Sequence, residues 1–274
     1  MSEIEQAPPG VDTTVPSAAR LYDYYLGGTD NYEVDRKAAE MIRAKMPELE
    51  DAAWANRGFL QRSVRWLAEQ GIRQFIDIGA GLPTRNNTHE AAQAVAPDAR
   101  VLYADNDPMV RVHADSLLAG SAGTAFITAD FRDPEGLLGH PTTRATIDFA
   151  EPVALLVVAL THFVPAEDDP WGIVRRYMAE LVPGSYLVLS AGTGDRQSPQ
   201  AIAAIEGVYA NASAKAHLRN RAEIARFFEG LEIVPPYEGA AAELAFVGEW
   251  GAEDPDAADS DGSRWGYCAV ARRP

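Results

Sequence analysis

Apolar positions change their spacing along the chain near residue 71. Between 17 and 70 they recur at helical intervals. Ala18, Leu21, Tyr22 and Tyr25 share one face, followed by Ala38, Met41 and Ile42, then Leu60, Val64 and Leu67. Ser17 stands where an N-cap belongs, Asp30 and Glu33 have capping-box spacing ahead of the second helix, and the third, over 48–70, stops at Gly71. From residue 73 apolar runs of strand length alternate with helical stretches, which predicts strands at 74–78, 100–105, 125–130, 153–160 and 185–191. Helices open at Asn87 with Glu90, at Asp107 with Pro108, and at Asp169 with Pro170. Such alternation builds a parallel sheet with helices on both faces, and the run 153–160, apolar throughout, reads as a central strand. Helices over 199–214 and 221–229 lead to two last strands, 231–234 and 265–271, with no crossover helix legible between them. They are expected to close the sheet as an antiparallel hairpin. The pattern thus predicts an α/β, Rossmann-like domain over 71–274 with a seven-stranded, mostly parallel sheet, a helical segment over 17–70 ahead of it, and a disordered tail over 1–16.

Charge narrows the partners. The 274 residues include 24 basic and 40 acidic side chains, a net charge of −16. A surface so acidic repels phosphate backbones and anionic lipid, so neither nucleic acid nor membrane is expected as a partner. The longest apolar run is too short to span a bilayer and the first residues carry none, so a cytoplasmic protein is expected. Cys268 is the only cysteine, which excludes an intrachain disulfide and a cysteine-based metal site. No histidine pair has ligand spacing, and the acidic stretch 249–261, broken by proline and alanine, reads as a solvated loop; no metal is expected.

Candidate chemistry gathers at the strand ends. The strand 74–78 runs into Gly79-Ala80-Gly81, a turn whose glycines let backbone approach a ligand closely at the carboxyl edge of the sheet. A dinucleotide fingerprint would continue to a third glycine; here that position is Thr84, after Pro83. Asp77, two residues before the turn, is awkward beside a pyrophosphate and suits a cofactor bearing an ammonium and a sulfonium. Asp105 ends the second strand where a carboxylate can accept from both ribose hydroxyls, with Asn106 beside it and Asp107 as a helix cap. Asp130 and Phe131 end the third strand at what would be the adenine rim, the carboxylate facing the exocyclic amine and the Phe131 amide a ring nitrogen.

These residues bring the chain into resemblance with a family of S-adenosylmethionine-dependent methyltransferases from high-GC bacteria, largely of unassigned substrate. The matching motifs run from Ala18 through Leu21-Tyr22-Asp23-Tyr24-Tyr25-Leu26-Gly27-Gly28, Asp30-Asn31 and Asn56-Arg57 to the glycine turn. They continue through Asp105-Asn106-Asp107-Pro108 and Asp130-Phe131-Arg132-Asp133-Pro134 to His162-Phe163. The resemblance covers roughly residues 16–235 and weakens beyond Pro235. It implies the class I methyltransferase sheet, an N-terminal helical lid over the cofactor, and S-adenosylmethionine as methyl donor, leaving S-adenosylhomocysteine.

On the acceptor side, His162 directly follows the fourth strand and is expected to orient or deprotonate a small-molecule acceptor. Tyr22, Asp23, Tyr25, Gly28 and Asn31 are expected in the lid. Tyr22 and Tyr25 also suit plain helix packing, whereas Asp23 and Asn31, polar without need in the pattern, point more strongly to the site. Arg20 or Arg57 could pair with a carboxylate of cofactor or substrate. Two other functions share the glycine turn: an NAD(P)-dependent oxidoreductase, and a non-catalytic S-adenosylmethionine-binding protein. The acceptor and the oligomeric state stay open.

Overall fold

The computed structural model describes residues 7–83, 86–118 and 121–274. Thr84 and the first six positions of the expected tail lie outside the described residues.

Three helices open the chain: α1 (Ala18–Tyr25), α2 (Glu33–Arg43) and α3 (Leu49–Glu69). The cap of α2 is displaced from the expected Asp30. The Asp35 carboxylate turns back to accept the Tyr32 amide at 2.9 Å, while the Asp30 amide donates to Asp23 at 3.0 Å. Asp35 is also the buried partner of Arg20, whose Nε lies 2.7 Å away. The same guanidinium donates to the carbonyls of Asp12 at 3.1 Å and Val15 at 2.6 Å. The described part of the expected tail is therefore tied to α1, with Val11 packed against Leu82, Met109 and Val110.

β1 (Gln74–Ile78), α4 (Thr88–Gln93), β2 (Arg100–Asp105), α5 (Pro108–Leu118) and β3 (Thr124–Thr128) form the first half of the sheet. Two short helices that the pattern did not announce follow, α6 (Pro134–Gly139) and α7 (Pro141–Thr146). β4 (Ala154–Val158), α8 (Pro170–Ala179), β5 (Tyr186–Gly192), α9 (Pro199–Tyr209) and α10 (Arg221–Ala225) make up the second half. The strands alternate between two cores. Ile76, Leu102, Leu155 and Leu189 face the layer of α6–α8, whereas Phe75, Val101, Leu156 and Val188 face α3 and α4.

β6 (Glu232–Ile233), β7 (Ala245–Phe246), α11 (Pro255–Ala258) and β8 (Gly266–Arg272) finish the chain. β8 lies antiparallel to β5 on one side and to β6 on the other, so the sheet is mostly parallel with an antiparallel end, in the order β3-β2-β1-β4-β5-β8-β6. The two-residue β7 makes eight strands where seven were expected; it pairs with β8 and is too short to leave a period in the sequence. The chain turns one way from β1 to β3 and the other from β4, which puts a topological switch point between β1 and β4. Among the described residues no helix is long and apolar enough to cross a membrane. In the acidic loop, Arg264 clamps Asp259 at 2.7 Å and Asp261 at 3.2 Å.

Candidate functional site

A cavity of about 700 Å³ opens at the switch point, roofed by α1–α3 and α9 and floored by the strand ends. That volume is typical of a small-molecule site. Gly79 and Gly81 turn the chain with φ of +74° and +66°, conformations that L side chains adopt only with strain. A Cβ on Gly79 would stand 2.9 Å from Leu160, whereas one on Gly81 would meet nothing within 4 Å. The turn is thus packed on one side and open to the cavity on the other.

Asp77 is buried on the cavity wall and accepts the Thr88 hydroxyl at 2.6 Å. Burial pushes its pKa up to about 6, against the pull of that hydrogen bond and of the Arg57 charge. Arg57 lines the same cavity, also buried; one Nη donates to the Asn86 carbonyl at 3.2 Å and to Asn87 at 3.3 Å, while its Nε has no hydrogen-bond partner among the described residues. Asp105 holds the turn: its two oxygens accept the Gly81 and Asp107 amides, each at 2.9 Å. A carboxylate has about four lone-pair sites, so both oxygens keep capacity for a ligand hydroxyl. Burial raises this carboxyl as well.

Asn106 and Ala80 line the cavity too. Asp130 also lines it, gripped by Arg132, whose guanidinium reaches its two oxygens at 2.6 and 3.0 Å. That grip holds Asp130 below the usual carboxylate range. The Phe131 ring stacks on Tyr177 with centroids 5.7 Å apart, and the Phe131 carbonyl accepts the Tyr177 hydroxyl at 3.0 Å. Its ring therefore belongs to the core beneath the rim.

The expected lid divides. Tyr22 and Tyr25 line the cavity; Asp23, Gly28 and Asn31 do not. The Asn31 amide bridges the Asp23 carboxylate at 3.1 Å and the Gly28 carbonyl at 2.9 Å, and Arg36 donates to Asn31 at 3.0 Å. A side chain at Gly28 would collide with Asp23. These three residues close the turn between α1 and α2, and their polarity answers to backbone groups of that turn. Asp23 and Asn31, to which the sequence pointed more strongly, thus lie in this turn, and Tyr22 and Tyr25 lie on the cavity. Arg20, spent on Asp35 and two carbonyls, is likewise structural.

Two residues that sequence reasoning did not single out as site residues complete the wall. Asn56 donates to the Tyr22 hydroxyl at 2.8 Å and accepts from the Ser190 hydroxyl at 2.6 Å, linking α3 to the end of β5. Ser190 Oγ in turn accepts the Ala159 amide at 3.0 Å, holding Ala159 in the left-handed region with φ of +53°. The Asn56-Arg57 dipeptide was the one signal available for the first. His162 follows in a 3-10 turn, Thr161–Phe163. Its Nδ1 accepts the Gly192 amide at 3.2 Å. Burial, with the nearby charge of Arg219, pulls its pKa down to about 3. The ring is accordingly neutral, with its hydrogen on Nε2, and can donate to an acceptor atom. It is poorly suited to take a proton, because its one lone pair is already engaged. Arg219 fixes this turn by donating to the carbonyls of Thr161 at 2.7 Å and Val164 at 2.6 Å. Among the described residues no cluster of three His, Cys, Asp or Glu side chains is arranged to hold a metal ion.

Comparison with known proteins bears on the family and the fold. The sequence profile of an S-adenosyl methyltransferase family matches residues 4–274. A DUF574 family protein from Streptomyces avermitilis MA-4680 is 44% identical, superposing with a TM-score of 0.89 over 96% of this chain and 99% of its own. A candidate methyltransferase from Thermobifida fusca YX is 40% identical, with a TM-score of 0.88 over 98% of this chain and 99% of its own. No curated protein matches the chain.

Proposed function

The chain belongs to the S-adenosyl methyltransferase family, and on that premise we propose that the cavity seats S-adenosylmethionine along the strand ends and a small-molecule methyl acceptor beneath the helices. The observation that carries this reading is a pair of opposite charges, Asp77 and Arg57, buried on one wall beside an open glycine turn, with Arg57 Nε unpartnered among the described residues. A buried guanidinium nitrogen without an acceptor is costly unless a ligand supplies one. The methionine end of the donor offers a carboxylate for Arg57 and an ammonium for Asp77. In this reading Asp105 accepts the ribose hydroxyls, and Asn106, Asp130 and the backbone at Phe131 frame the adenine. Gly79, Ala80 and Gly81 bring the main chain against the ligand.

When bound, S-adenosylmethionine would supply an electrophilic methyl group for the acceptor's lone pair and would leave as S-adenosylhomocysteine, the acceptor's proton going to solvent. The protein's own work is the alignment of donor and acceptor. His162 donates its Nε2 hydrogen to the acceptor and orients it, while Tyr22 and Tyr25 cover the cavity. The nicotinamide alternative raised by the glycine turn gives way to the family.

Calorimetry with S-adenosylhomocysteine tests the reading. The wild-type protein is expected to bind it and to ignore NAD⁺, and Arg57→Met is expected to weaken binding by about tenfold or more, the worth of a charge-assisted hydrogen bond. Absence of heat with the wild-type protein would remove the proposal.

A further inference from the structure

The wall opposite the strand ends has a chemistry of its own. It is built by α1, α2, the loop that follows α2, the start of α3 and α9, which contribute Tyr25, Ile42, Met46, Leu49, Ile205 and Tyr209. Phe163 and Trp265 extend it, with the Phe163 and Tyr209 ring centroids 5.4 Å apart. The charged residues of the cavity lie elsewhere. Asp77, Asp105, Asp107 and Asp130 belong to the strand ends, and Arg132 is spent on Asp130. Arg57 serves the Asp77 side; Lys215, itself exposed, and half-buried His217 line the cavity from the loop after α9, outside the helices of this wall.

The polar groups that the helical wall does present are uncharged. The Tyr25 and Tyr209 hydroxyls meet at 3.5 Å, and burial pushes the Tyr209 phenol up to about 12 and that of Tyr25 well up too. The Tyr22 hydroxyl, Asn56 and Ser190 form the neutral chain that joins this wall to the strand ends. Neutral His162 stands at the same junction, its ring 4.3 Å from that of Phe163. Among the described residues the helices of this wall offer no counter-charge to a charged ligand that has lost its hydration there, a penalty that a neutral ring does not meet. Aromatic walls add edge and face contacts that favour a planar partner.

Resting on the methyl-transfer reading, we infer that the acceptor is an uncharged, planar, largely apolar molecule that inserts its ring among α1, α2 and α9 and brings a single hydroxyl to the His162 end. The chamber selects by the absence of charge, and the one polar group is the one to be methylated.

Naphthol, naphthoate and naphthylmethylammonium share a ring system and differ in charge, so they isolate the claim. Each is titrated into wild-type protein saturated with S-adenosylhomocysteine, with the isoleucine and methionine methyl groups observed by NMR. Naphthol is expected to shift the methyls of Ile42, Met46 and Ile205 and to leave Ile76 and Ile127, in the core on the α6–α8 face, unmoved. It is expected to bind at least about tenfold more tightly than either charged analogue, because only those bury a charge. Equal or tighter binding of a charged analogue overturns the inference, as does failure of naphthol to bind or shifts confined to other methyls. Failure of S-adenosylhomocysteine to bind in the preceding step strikes the methyl-transfer reading itself, so the two failures are distinguishable.

Discussion

Asp77 and His162 sit on the same cavity and respond to acid in opposite senses. Stability changes with pH according to which state holds more protons. The Asp77 pKa is raised from the ordinary 3.8 to about 6, so between those values the folded chain holds the extra proton. Its favourable contribution is complete below the unfolded pKa and is lost as pH rises through 6. Ionised Asp77 costs the ligand-free protein roughly 3 kcal/mol, taking about 1.4 kcal/mol for each tenfold change in proton affinity. His162 is lowered from 6.5 to about 3, so there the unfolded chain holds the extra proton and acid destabilises. The expected outcome is a pair of denaturation series that diverge. Asp77→Asn should stabilise the ligand-free protein near neutrality, with the gain shrinking toward pH 4; His162→Gln should do the reverse, gaining on the wild type as pH falls. Parallel curves for the two variants would mean that neither group is held as described.

At the scale of elements, the covering helices depend on one buried ion pair. Arg20 and Asp35 join α1 to α2, and between them they satisfy the Ser17 and Tyr32 amides and the carbonyls of Asp12 and Val15. Removing Arg20 leaves the Asp35 charge buried without its counter-charge and the two carbonyls without their donor, which costs roughly 3–5 kcal/mol. Arg20→Ala is therefore expected to open the helical cover, with amide exchange rising in α1 and α2 before it rises in β1 or β4. Uniform acceleration throughout the chain would show that cover and sheet unfold as one unit. The same region marks the limit of what sequence discloses. β1 and β2 are legible to the residue, and the glycine turn with them, because strand period, glycine and capping chemistry are all local. Which polar side chains of the first helices face the ligand is a different matter. Asn56 acquires its meaning from Ser190, 134 residues away, and Asp23 loses the expected one to the neighbouring turn. The left-handed Ala159 and the two-residue β7 escape for the same reason: tertiary partners decide them, and their local pattern is silent. The short α6 does carry a local signal, Asp133 capping it with Pro134 in its first turn, but six residues are too few to show a helical period.

The charge of the whole molecule bears on how donor and product exchange. At −16 the chain sets up a negative field, and the cavity floor adds Asp77, Asp105, Asp107 and Asp130 at its focus, relieved there by Arg57 and Arg132. S-adenosylmethionine carries an ammonium, a carboxylate and a sulfonium, one net positive charge; S-adenosylhomocysteine has lost the sulfonium charge and is neutral overall. Such a field draws in the donor and exerts no net pull on the product, which favours turnover without any moving part. Salt separates the two cases, since the screening length falls from ~30 Å at 0.01 M to ~8 Å at 0.15 M. Across that range the dissociation constant of S-adenosylmethionine is expected to rise several-fold, mainly through slower association, while that of S-adenosylhomocysteine stays nearly constant. The measurement is stopped-flow association and calorimetry at matched pH, well above 6 so that Asp77 stays ionised. Equal salt dependence for both ligands would show that the field of the molecule does not reach the floor of the cavity, and that local contacts alone discriminate between them.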